Sequence, residues 1–367
     1  MQKIFLILST DHIGGAEKRF VGLWKSICET RKDIDFVLTL SPKLYSTLSQ
    51  QDAFANALVL FQDHVIQFDL TGGFKKFQAA VKQFNEKYLR ENDILHFVGD
   101  HPLLPLPGRK QVYSITQSSL KNLNFSGRLG QLAGISKSDK IDILDPNIYN
   151  KVCRWFFYKR KHIHRTSNSF CDLDFSNAMP FEQRNDWFVF SGRFELMKQV
   201  KQLLMALPSL YKEIKNKATK DLHFYFLGYG SLENELKEMM GDQHYKDLPI
   251  TITYSDRPGD ILSKSKIFFS VQLHNNYPSR SLIEAMATGN IPVVTDVGQT
   301  RWLAKPEFSY YVPENFQAND IINAVRKIYS ETDSLLSTKS VMARQLVMAE
   351  HTIEKMRDYY LGLYKEV

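Results

Sequence analysis

The sequence predicts an α/β protein with two domains, each built on a parallel sheet. The chain has 367 residues, which is longer than one hydrophobic core usually grows. Its hydrophobic share of 43%, with 13% aromatic residues, provides enough apolar surface for two packed cores. Short apolar runs alternate with longer amphipathic patterns along the chain, which is typical of βαβ units on a parallel sheet.

The first half contains four predicted strands and two predicted helices. The strands are "KIFLILS" (residues 3–9), "DFVLTLS" (35–41), "DILHFVG" (93–99) and "QVYSITQ" (111–117). The helices are "AEKRFVGLWKSICE" (16–29) and "FKKFQAAVKQFNEKYLRE" (74–91). Polar residues follow the first apolar run where a signal peptide would have a small-residue cleavage site, so we expect a buried strand there.

The second half repeats this alternation. The predicted strands are "DWFVFSG" (186–192), "LHFYFLG" (222–228), "ITITY" (250–254), "KIFFSVQ" (266–272) and "IPVVTDVG" (291–298). The predicted helices are "QVKQLLMALPSLYKEI" (199–214), "SLENELKEMMG" (231–241), "SLIEAMATG" (281–289) and the closing pattern "TIEKMRDYYLGLYKEV" (352–367). A second α/β domain follows from this pattern.

Periodicity lapses at residues 169–186, so the domain boundary is expected there. We predict a first domain at residues 1–182, a second at 183–348 and a closing helix at 349–367. Just before the boundary, "KVCRWFFYKRKHIHR" (151–165) is dense in basic and aromatic residues. Two interpretations are open: a solvated basic helix with its aromatic side chains in the core, or a surface that contacts anionic lipid headgroups.

Charge and cysteine content restrict the partners and the compartment. The net charge of +7 favours an anionic partner: a phosphate-bearing ligand, a membrane surface or nucleic acid. No nucleic-acid recognition motif accompanies the charge, so we expect no nucleic-acid partner. The three cysteines have no CxxC spacing, which argues against a disulfide framework and a zinc site. No apolar stretch approaches the roughly 20 residues of a membrane span, so we expect a cytoplasmic protein, soluble or peripheral at a membrane.

Loops that follow parallel strands are the expected ligand sites. After the first strand, Gly14 and Gly15 open a helix and would let the backbone approach an anion, although two glycines also fit a simple turn. After the strand at 186–192, Arg193 and Lys198 would suit a diphosphate, since Arg offers a planar fork and Lys a compact charge. A pair of surface cations is the alternative.

Two further loops have a similar composition. Gly228 and Gly230 follow a strand, but Glu233 occupies the third glycine position of a dinucleotide fingerprint. In the loop before the helix at 281–289, Glu284 has two acceptor oxygens that would suit a ribose diol, or it would form a capping box with Ser281. Backbone amides of this loop would meet phosphate or sugar oxygens, from the residues Tyr277, Pro278, Ser279, Arg280 and Ser281.

These loops, in this order, resemble those of the family four retaining glycosyltransferases of the GT-B fold. The matching segments are "GGAEKRF", "SDKIDILDPN", "SNSFCDLDF", "SGRFELMKQ", "FLGYG" and "NYPSRSLIEAMATGNIPVVTDVG", of which the "EAMATGNIPVVTDVG" part is the most specific. The resemblance covers nearly the whole chain. It implies two Rossmann-like domains whose parallel sheets face a central cleft, and a C-terminal helix that crosses back to the first domain.

The resemblance also implies an activity: metal-independent transfer of a sugar from a nucleoside-diphosphate sugar to a carbohydrate or lipid-linked acceptor, without a further cofactor. By position, Arg193 and Lys198 would neutralise the donor diphosphate and Glu284 would hold the ribose. Gly14 and Gly15 would approach the phosphates or the sugar, and Gly228 to Gly230 would flank the nucleotide. Growth of a bacterial surface polysaccharide, peripheral at the inner face of the cell membrane, is the expected role.

The sequence departs from the family at two positions. Asn276 stands where the family usually has a Glu that contacts the donor sugar, and Gln117 stands where many relatives have a His. His96, Asp100 and His101 would lie near the sugar, although a structural role is also open for each. Because no protein nucleophile or base is evident, we expect front-face transfer, in which the leaving phosphate takes the acceptor proton.

Other functions on the same scaffold remain open. The two departures are compatible with a non-catalytic sugar-nucleotide-binding protein, and a sugar-nucleotide epimerase is a further alternative. A phosphorylase would need a lysine-anchored cofactor and a longer chain. A glycoside hydrolase would need two carboxylates, and the site offers one clear acid.

Overall fold

The structure, a computed structural model, describes residues 2–72, 74–99, 109–116, 125–166, 175, 178–255, 257–275 and 277–367. The chain divides into two compact units. Unit 1 comprises Met1–Asn168 together with Ile353–Val367, and unit 2 comprises Ser169–Thr352. The division lies earlier in the chain than residue 182, because residues 178–184 pack with unit 2. Phe181, for example, is buried in the unit 2 core.

Unit 1 contains a parallel sheet of seven strands in the order β3-β2-β1-β4-β5-β6-β7 among its described residues. The strands are β1 (Lys3–Leu8), β2 (Asp35–Leu40), β3 (Val65–Gln67), β4 (Ile94–Val98), β5 (Lys110–Ile115), β6 (Lys140–Ile143) and β7 (Ile163–Arg165). The four runs predicted in this half are confirmed as β1, β2, β4 and β5.

Helices cover the unit 1 sheet. They are α1 (Gly15–Thr30), α2 (Pro42–Ser49), α3 (Asp52–Leu60), α4 (Phe74–Tyr88), α5 (Phe125–Lys137), α6 (Pro146–Trp155) and the C-terminal α14 (Ile353–Lys365). A short 3₁₀ segment, Phe157–His162, follows α6. The helix α14 packs against α1, so the end of the chain completes the first unit.

A buried polar network joins α14 to the unit 1 sheet. The Tyr360 hydroxyl donates to Asp142 Oδ2 on β6 at 2.6 Å and accepts from Arg19 Nη2 on α1 at 3.0 Å. The Tyr364 hydroxyl lies 2.6 Å from His96 Nδ1 on β4. All five side chains are buried, so each polar group depends on the others for its hydrogen bonds.

Unit 2 contains a parallel sheet of six strands in the order β10-β9-β8-β11-β12-β13, counted over its described residues. The strands are β8 (Asn185–Ser191), β9 (Leu222–Leu227), β10 (Ile250–Thr253), β11 (Ser265–Ser270), β12 (Ile291–Thr295) and β13 (Tyr310–Val312). Both faces are buried: Phe188 and Phe190 lie in one hydrophobic cluster and the intervening Val189 lies in another. Burial on both faces explains why these strands are continuous apolar runs.

The unit 2 helices complete a second α/β architecture. They are α7 (Val200–Ile214), α8 (Glu233–Met240), α9 (Gly259–Leu262), α10 (Arg280–Ala287), α11 (Thr300–Leu303), α12 (Ala318–Tyr329) and α13 (Asp333–Glu350). The predicted fold class, with two parallel-sheet α/β units, is thereby confirmed. Among the helices that the structure describes, none combines the length and the apolar character that a transmembrane helix requires.

Candidate functional site

Three of the four predicted loops lie side by side at the carboxyl edge of the unit 2 sheet. They follow β9, β8 and β11, which are neighbours in the sheet. Parallel register aligns the strand ends, with Ser191 of β8 opposite Leu227 of β9. This edge therefore gathers Arg193, Gly228 and the residues before α10, as expected for parallel sheets.

Backbone hydrogen bonds join the loop after β8 to the turn after β9. The Gly192 N–H donates to the Leu227 carbonyl at 3.0 Å, and the Phe194 N–H donates to the Tyr229 carbonyl at 2.8 Å. A third hydrogen bond is donated by the Leu232 N–H to the Phe194 carbonyl at 3.0 Å. Phe194 is fully buried. The loop that carries Arg193 is therefore fixed both by these hydrogen bonds and by the packing of Phe194 in the core.

Gly228 and Gly230 make this contact possible. A Cβ atom on Gly228 would lie 1.9 Å from the Gly192 carbonyl oxygen, and one on Gly230 would lie 2.5 Å from the Phe194 carbonyl oxygen. Gly230 also has φ of +157°, which side-chain-bearing residues rarely adopt. The packing of two loops is thus sufficient to require both glycines, whatever further role they have toward a nucleotide.

The two predicted cations occupy different environments. The Arg193 side chain is 65% exposed, and its Nη1 forms an ion pair with Glu195 Oε1 at 2.9 Å. Lys198 is partly buried, and its ammonium donates to Gln272 Oε1. Burial of the Lys198 ammonium, assisted by the positive charge of Arg193, lowers its pKa to about 8, and Glu195 opposes that shift. The two charges are therefore close enough to influence each other.

Gln272, which the sequence analysis missed, connects Lys198 to the rest of the site. Its side-chain oxygen accepts from Lys198, and its side-chain nitrogen donates to the Asn275 carbonyl. Its backbone N–H donates to Thr295 Oγ1 at 3.0 Å, and its carbonyl accepts from the same hydroxyl at 2.8 Å. The backbone of Gln272 is thus fixed by Thr295 and its side-chain amide by Asn275, so the amide oxygen holds the ammonium in one place.

The capping interpretation of Glu284 is wrong in its details. The N-cap of α10 is Ser279, whose hydroxyl accepts from the Leu282 N–H at 3.4 Å, so Ser281 is not the cap. Glu284 consequently lies beyond the first turn, where its Oε1 accepts from Arg280 Nε at 2.7 Å. The Glu284 side chain is 11% exposed, so the ion pair positions a nearly buried carboxylate.

The expected row of backbone amides before α10 is also shorter than predicted. The Tyr277 N–H donates to Asn275 Oδ1 at 3.1 Å, and Pro278 has no N–H to offer. The predicted amide site is therefore reduced to the first turn of α10. Asn276, the predicted sugar contact, lies outside the described residues.

Two exposed tyrosines adjoin this site and were not predicted. Tyr229 and Tyr254 follow the adjacent strands β9 and β10, and they are 48% and 47% exposed. Their ring centroids lie 5.4 Å apart with an interplanar angle of 71°. An aromatic residue one or two positions after a strand was the signal that could have identified them. Such rings can stack on a planar ligand group.

In unit 1, Gly14 and Gly15 lie at the start of α1, as predicted. The Gly14 N–H donates to Glu17 Oε2 at 2.8 Å, so a carboxylate of the chain already engages this amide. A Cβ atom on Gly15 would meet nothing within 4 Å, so nothing described in the chain requires a glycine there. The role of both glycines toward a ligand stays a prediction.

His96 does not lie where a sugar could reach it, which corrects the expectation. It is fully buried in β4, with Nε2 2.8 Å from Ser114 Oγ and Nδ1 2.6 Å from the Tyr364 hydroxyl. Burial lowers its pKa to about 3, so the ring is neutral at ordinary pH. Its side chain packs toward α14 because it lies within the strand and not in the loop beyond. The other three predicted acceptor residues, Asp100, His101 and Gln117, lie outside the described residues.

No cluster of His, Cys, Asp and Glu within the described ranges could hold a metal ion. The unit 2 edge presents two neighbouring cations, a nearly buried carboxylate and exposed aromatic rings. Two cations and a helix start suit an anion, and the rings suit a planar group beside it.

A family model and a curated relative each match part of this chain. Residues 174–341 match the family model described as glycosyl transferases group 1. The Escherichia coli UDP-Gal:alpha-D-GlcNAc-diphosphoundecaprenol alpha-1,3-galactosyltransferase is 27% identical over 178 residues, which cover 48% of this chain. The match spans 45% of that relative's own length.

Solved structures share the fold over the whole chain. Alr3699/HepE of Anabaena, in complex with UDP and glucose, is 12% identical, covers 100% of both chains and has a TM-score of 0.73. A glycosyltransferase from Rickettsia africae is 16% identical, covers 100% of this chain and 98% of that chain, and has a TM-score of 0.74. Identities this low show a common fold alone.

Replacing Gly228 by alanine should destabilise unit 2, because the new Cβ would force the Gly192 carbonyl aside. We expect a loss of about 1–3 kcal/mol in the free energy of unfolding, typical of overpacking. Urea unfolding of Gly228→Ala checks this. Gly362→Ala is the matched control: it lies in α14 with open space around its Cβ position and should be neutral or slightly stabilising. Equal stability of Gly228→Ala and wild type would contradict the packing role.

Proposed function

We propose that this protein transfers a sugar from a nucleotide-sugar donor to a carbohydrate acceptor, because residues 174–341 match the group 1 glycosyl transferases and the chain shares the fold of the solved glycosyltransferase structures. The observation that carries the proposal is the pair of cations at the carboxyl edge of the unit 2 sheet. Arg193 is accessible there, and Gln272 holds Lys198 beside it. A diphosphate is the ligand group that two such cations match.

The proposed role of the cations is to stabilise the leaving group. When the bond between the sugar and the diphosphate breaks, negative charge develops on the phosphate oxygen that departs. Preorganised cations favour that charge more than they favour the ground state, which lowers the barrier. Arg193 would supply a planar fork from the solvent side, and Lys198 would supply a compact charge that Gln272 has already oriented.

We propose retention of the anomeric configuration by front-face transfer. The acceptor oxygen forms its bond to the anomeric carbon on the face that the phosphate leaves, and the acceptor proton passes to the leaving phosphate oxygen. This step needs no protein base, which agrees with the assignment of His96 to the buried network of unit 1. The cations promote the step because they stabilise the phosphate that receives the proton.

Two other groups would position the donor nucleotide. Glu284 would accept from the ribose hydroxyls, with its orientation set by the ion pair to Arg280. Tyr229 and Tyr254 would provide the aromatic surface on which the base stacks, since they are the exposed rings at the ends of β9 and β10. The first turn of α10 would contribute amide hydrogens to a phosphate or sugar oxygen.

We propose a lipid-linked glycan as the acceptor. The Escherichia coli relative is named as a transferase that acts on a sugar attached to diphosphoundecaprenol. An acceptor of this class is confined to a membrane, so the proposed site of action is peripheral at the cytoplasmic face, in assembly of a surface polysaccharide. Unit 1 would bind the acceptor. Gly14 and Gly15 would contact the donor phosphates or the transferred sugar, as the family resemblance implies.

The first test is a thermal-shift panel of nucleoside diphosphates and their sugars, because a ligand that binds only the folded protein raises its stability. We then expect transfer, or slow donor hydrolysis, with the sugar nucleotide that gives the largest shift. Binding without either reaction would favour a sugar-nucleotide-binding protein instead. Absence of any nucleotide binding would overturn the proposal.

Loss of either cation should slow the chemistry strongly. We expect Arg193→Ala and Lys198→Ala to lower kcat by about two to three orders of magnitude, the usual effect of removing an electrostatic stabiliser. Steady-state release of the nucleoside diphosphate measures this. Lys201→Ala serves as the control, because Lys201 is engaged by Glu235 and should leave kcat near wild type. Near-wild-type turnover in both Arg193→Ala and Lys198→Ala would refute the role.

The lowered pKa of Lys198 makes nucleotide affinity depend on pH. The Lys198 side chain is fully charged well below pH 8, and its positive charge is lost as the pH rises through about 8. The charge of the nucleotide phosphates, by contrast, stays constant above pH 7. Affinity for the best nucleoside diphosphate should therefore be about tenfold weaker at pH 9 than at pH 7, for loss of one required proton. Calorimetry measures it. Lys198→Arg should show a flatter profile, and a flat wild-type profile would contradict the assignment.

Loss of the tyrosine pair should weaken binding of the nucleoside part of the ligand and leave binding of the phosphates unchanged. We expect Tyr229→Ala combined with Tyr254→Ala to weaken nucleoside diphosphate binding by roughly 10- to 100-fold, as for loss of one base-stacking contact. Affinity for inorganic pyrophosphate should stay unchanged. The corresponding Tyr→Phe pair keeps both rings and should bind like wild type. An equal loss of affinity for pyrophosphate would mean that the substitutions disturb the whole site and do not act through base stacking.

A further inference from the structure

Residues 151–165 form a surface that the proposed chemistry does not use. We name it the aromatic–basic patch. Its sequence, "KVCRWFFYKRKHIHR", has no Asp or Glu, and the first carboxylate before it is Asp145. The segment spans the end of α6, the 3₁₀ segment Phe157–His162 and the edge strand β7.

The aromatic side chains of the patch lie in solvent and not in the core. Trp155 is 58% exposed, Phe157 is 76% exposed and Tyr158 is 63% exposed. Of the aromatic run, Phe156 alone packs against the unit 1 core. The interpretation of a basic helix with buried aromatics is therefore wrong for these three residues. Single exposed apolar residues are common, but three large rings within four positions mark an interaction surface.

The chain holds this surface in a fixed conformation. Val152 and Ile163, on either side, are buried in the unit 1 core. Lys159 points away from the surface cations: its ammonium donates to the carbonyls of Ile135 at 3.3 Å and Ser138 at 2.9 Å, and also to that of Ser136, at the end of α5. An anchored 3₁₀ segment loses little conformational entropy on binding, so the rings are preorganised.

Exposed cations flank the rings along the chain. Lys151 and Arg154 lie on α6, Arg160 and Lys161 lie on the 3₁₀ segment, and Arg165 ends β7; all five are exposed. A protein partner would have to supply a strongly acidic and apolar face together. An anionic bilayer provides both properties at once, since its headgroups attract cations and its interface accepts aromatic rings.

We propose that the aromatic–basic patch docks this protein on an anionic lipid bilayer. Trp155, Phe157 and Tyr158 insert at the depth of the headgroups, while the cations around them bind the anionic lipids. The inference goes beyond sugar transfer and does not depend on it. If the proposed function also holds, docking would keep the protein beside a membrane-confined acceptor.

Vesicle sedimentation tests the proposal on the full chain. Wild type should be retained on vesicles of phosphatidylcholine with phosphatidylglycerol at low ionic strength, released as salt is added, and not retained on phosphatidylcholine alone. Trp155→Ser combined with Phe157→Ser and Tyr158→Ser should weaken retention at least tenfold, because the interfacial rings are lost. These side chains are exposed, so the variant should unfold at the wild-type temperature.

A charge variant separates the patch from the net charge of the protein. Arg154→Gln combined with Arg160→Gln and Lys161→Gln should weaken retention by at least tenfold, given the attraction of each cation to an anionic surface. The matched control removes three exposed lysines of unit 2, with the same change in net charge: Lys212→Gln, Lys215→Gln and Lys220→Gln. That control should be retained like wild type.

A spectroscopic measurement locates the contact. Trp155 emission should shift to the blue on vesicle binding, and Trp155→Phe should remove that shift while leaving retention nearly intact. A shift that persists in Trp155→Phe would assign the contact to another of the four tryptophans and overturn the proposal.

Four other outcomes would overturn it as well. These are equal retention of the charge variant and its control, equal retention on both vesicle compositions, binding of a single-stranded oligonucleotide without vesicle binding, and self-association that the aromatic variant abolishes without vesicle binding. Vesicle binding by a protein that binds no nucleotide would support this inference while the proposed function fails, so the two are distinguishable.

Discussion

The candidate site depends on one contact, the packing of the loop after β8 against the turn after β9. Three backbone hydrogen bonds and two glycines bring these segments together at van der Waals distance. Because the contact is made by the backbone, it fixes the course of the loop without restricting the side chains that project from it. Arg193 can stay exposed while its neighbour Phe194 is buried. Lys198, at the end of the same loop, lies within hydrogen-bonding distance of Gln272.

The environment of Lys198 strengthens its interaction with an anion. Removing an ammonium from water is unfavourable, and burial is the main reason that the pKa of Lys198 is lowered. A neutral amide compensates only part of it, so an anion that approaches the ammonium gains more than it would from a solvated lysine. The partly buried ammonium and the exposed guanidinium are therefore complementary: Gln272 orients the first, which is partly desolvated, and Glu195 pairs with the second, which is well hydrated.

The sequence was sufficient to predict nine of the thirteen described strands, the two α/β units and the loops of the site, because doubly buried parallel strands are continuous apolar runs. The four strands that were missed, β3, β6, β7 and β13, have only three or four residues each. It was not sufficient where a residue's role depends on a distant partner. Gln272 lies 74 positions from Lys198, and His96 meets Tyr364 across 268 positions. The predicted N-cap of α10 was wrong for a local reason. Ser279 and Ser281 both have a suitable hydroxyl, and only the backbone conformation decides which of them is the N-cap. Exposure of Trp155, Phe157 and Tyr158 likewise depends on where the 3₁₀ segment sits on the core.

The helix α14 has a consequence for biosynthesis. Its tyrosines provide hydrogen-bond partners for Asp142 and His96, which are buried in the first sheet. During translation, unit 2 emerges whole before any residue of α14 does, since α14 begins at Ile353. The first unit to be synthesised is thus the last to be completed, and until then its sheet exposes apolar strands and unsatisfied polar groups to the nascent-chain environment, where chaperones act.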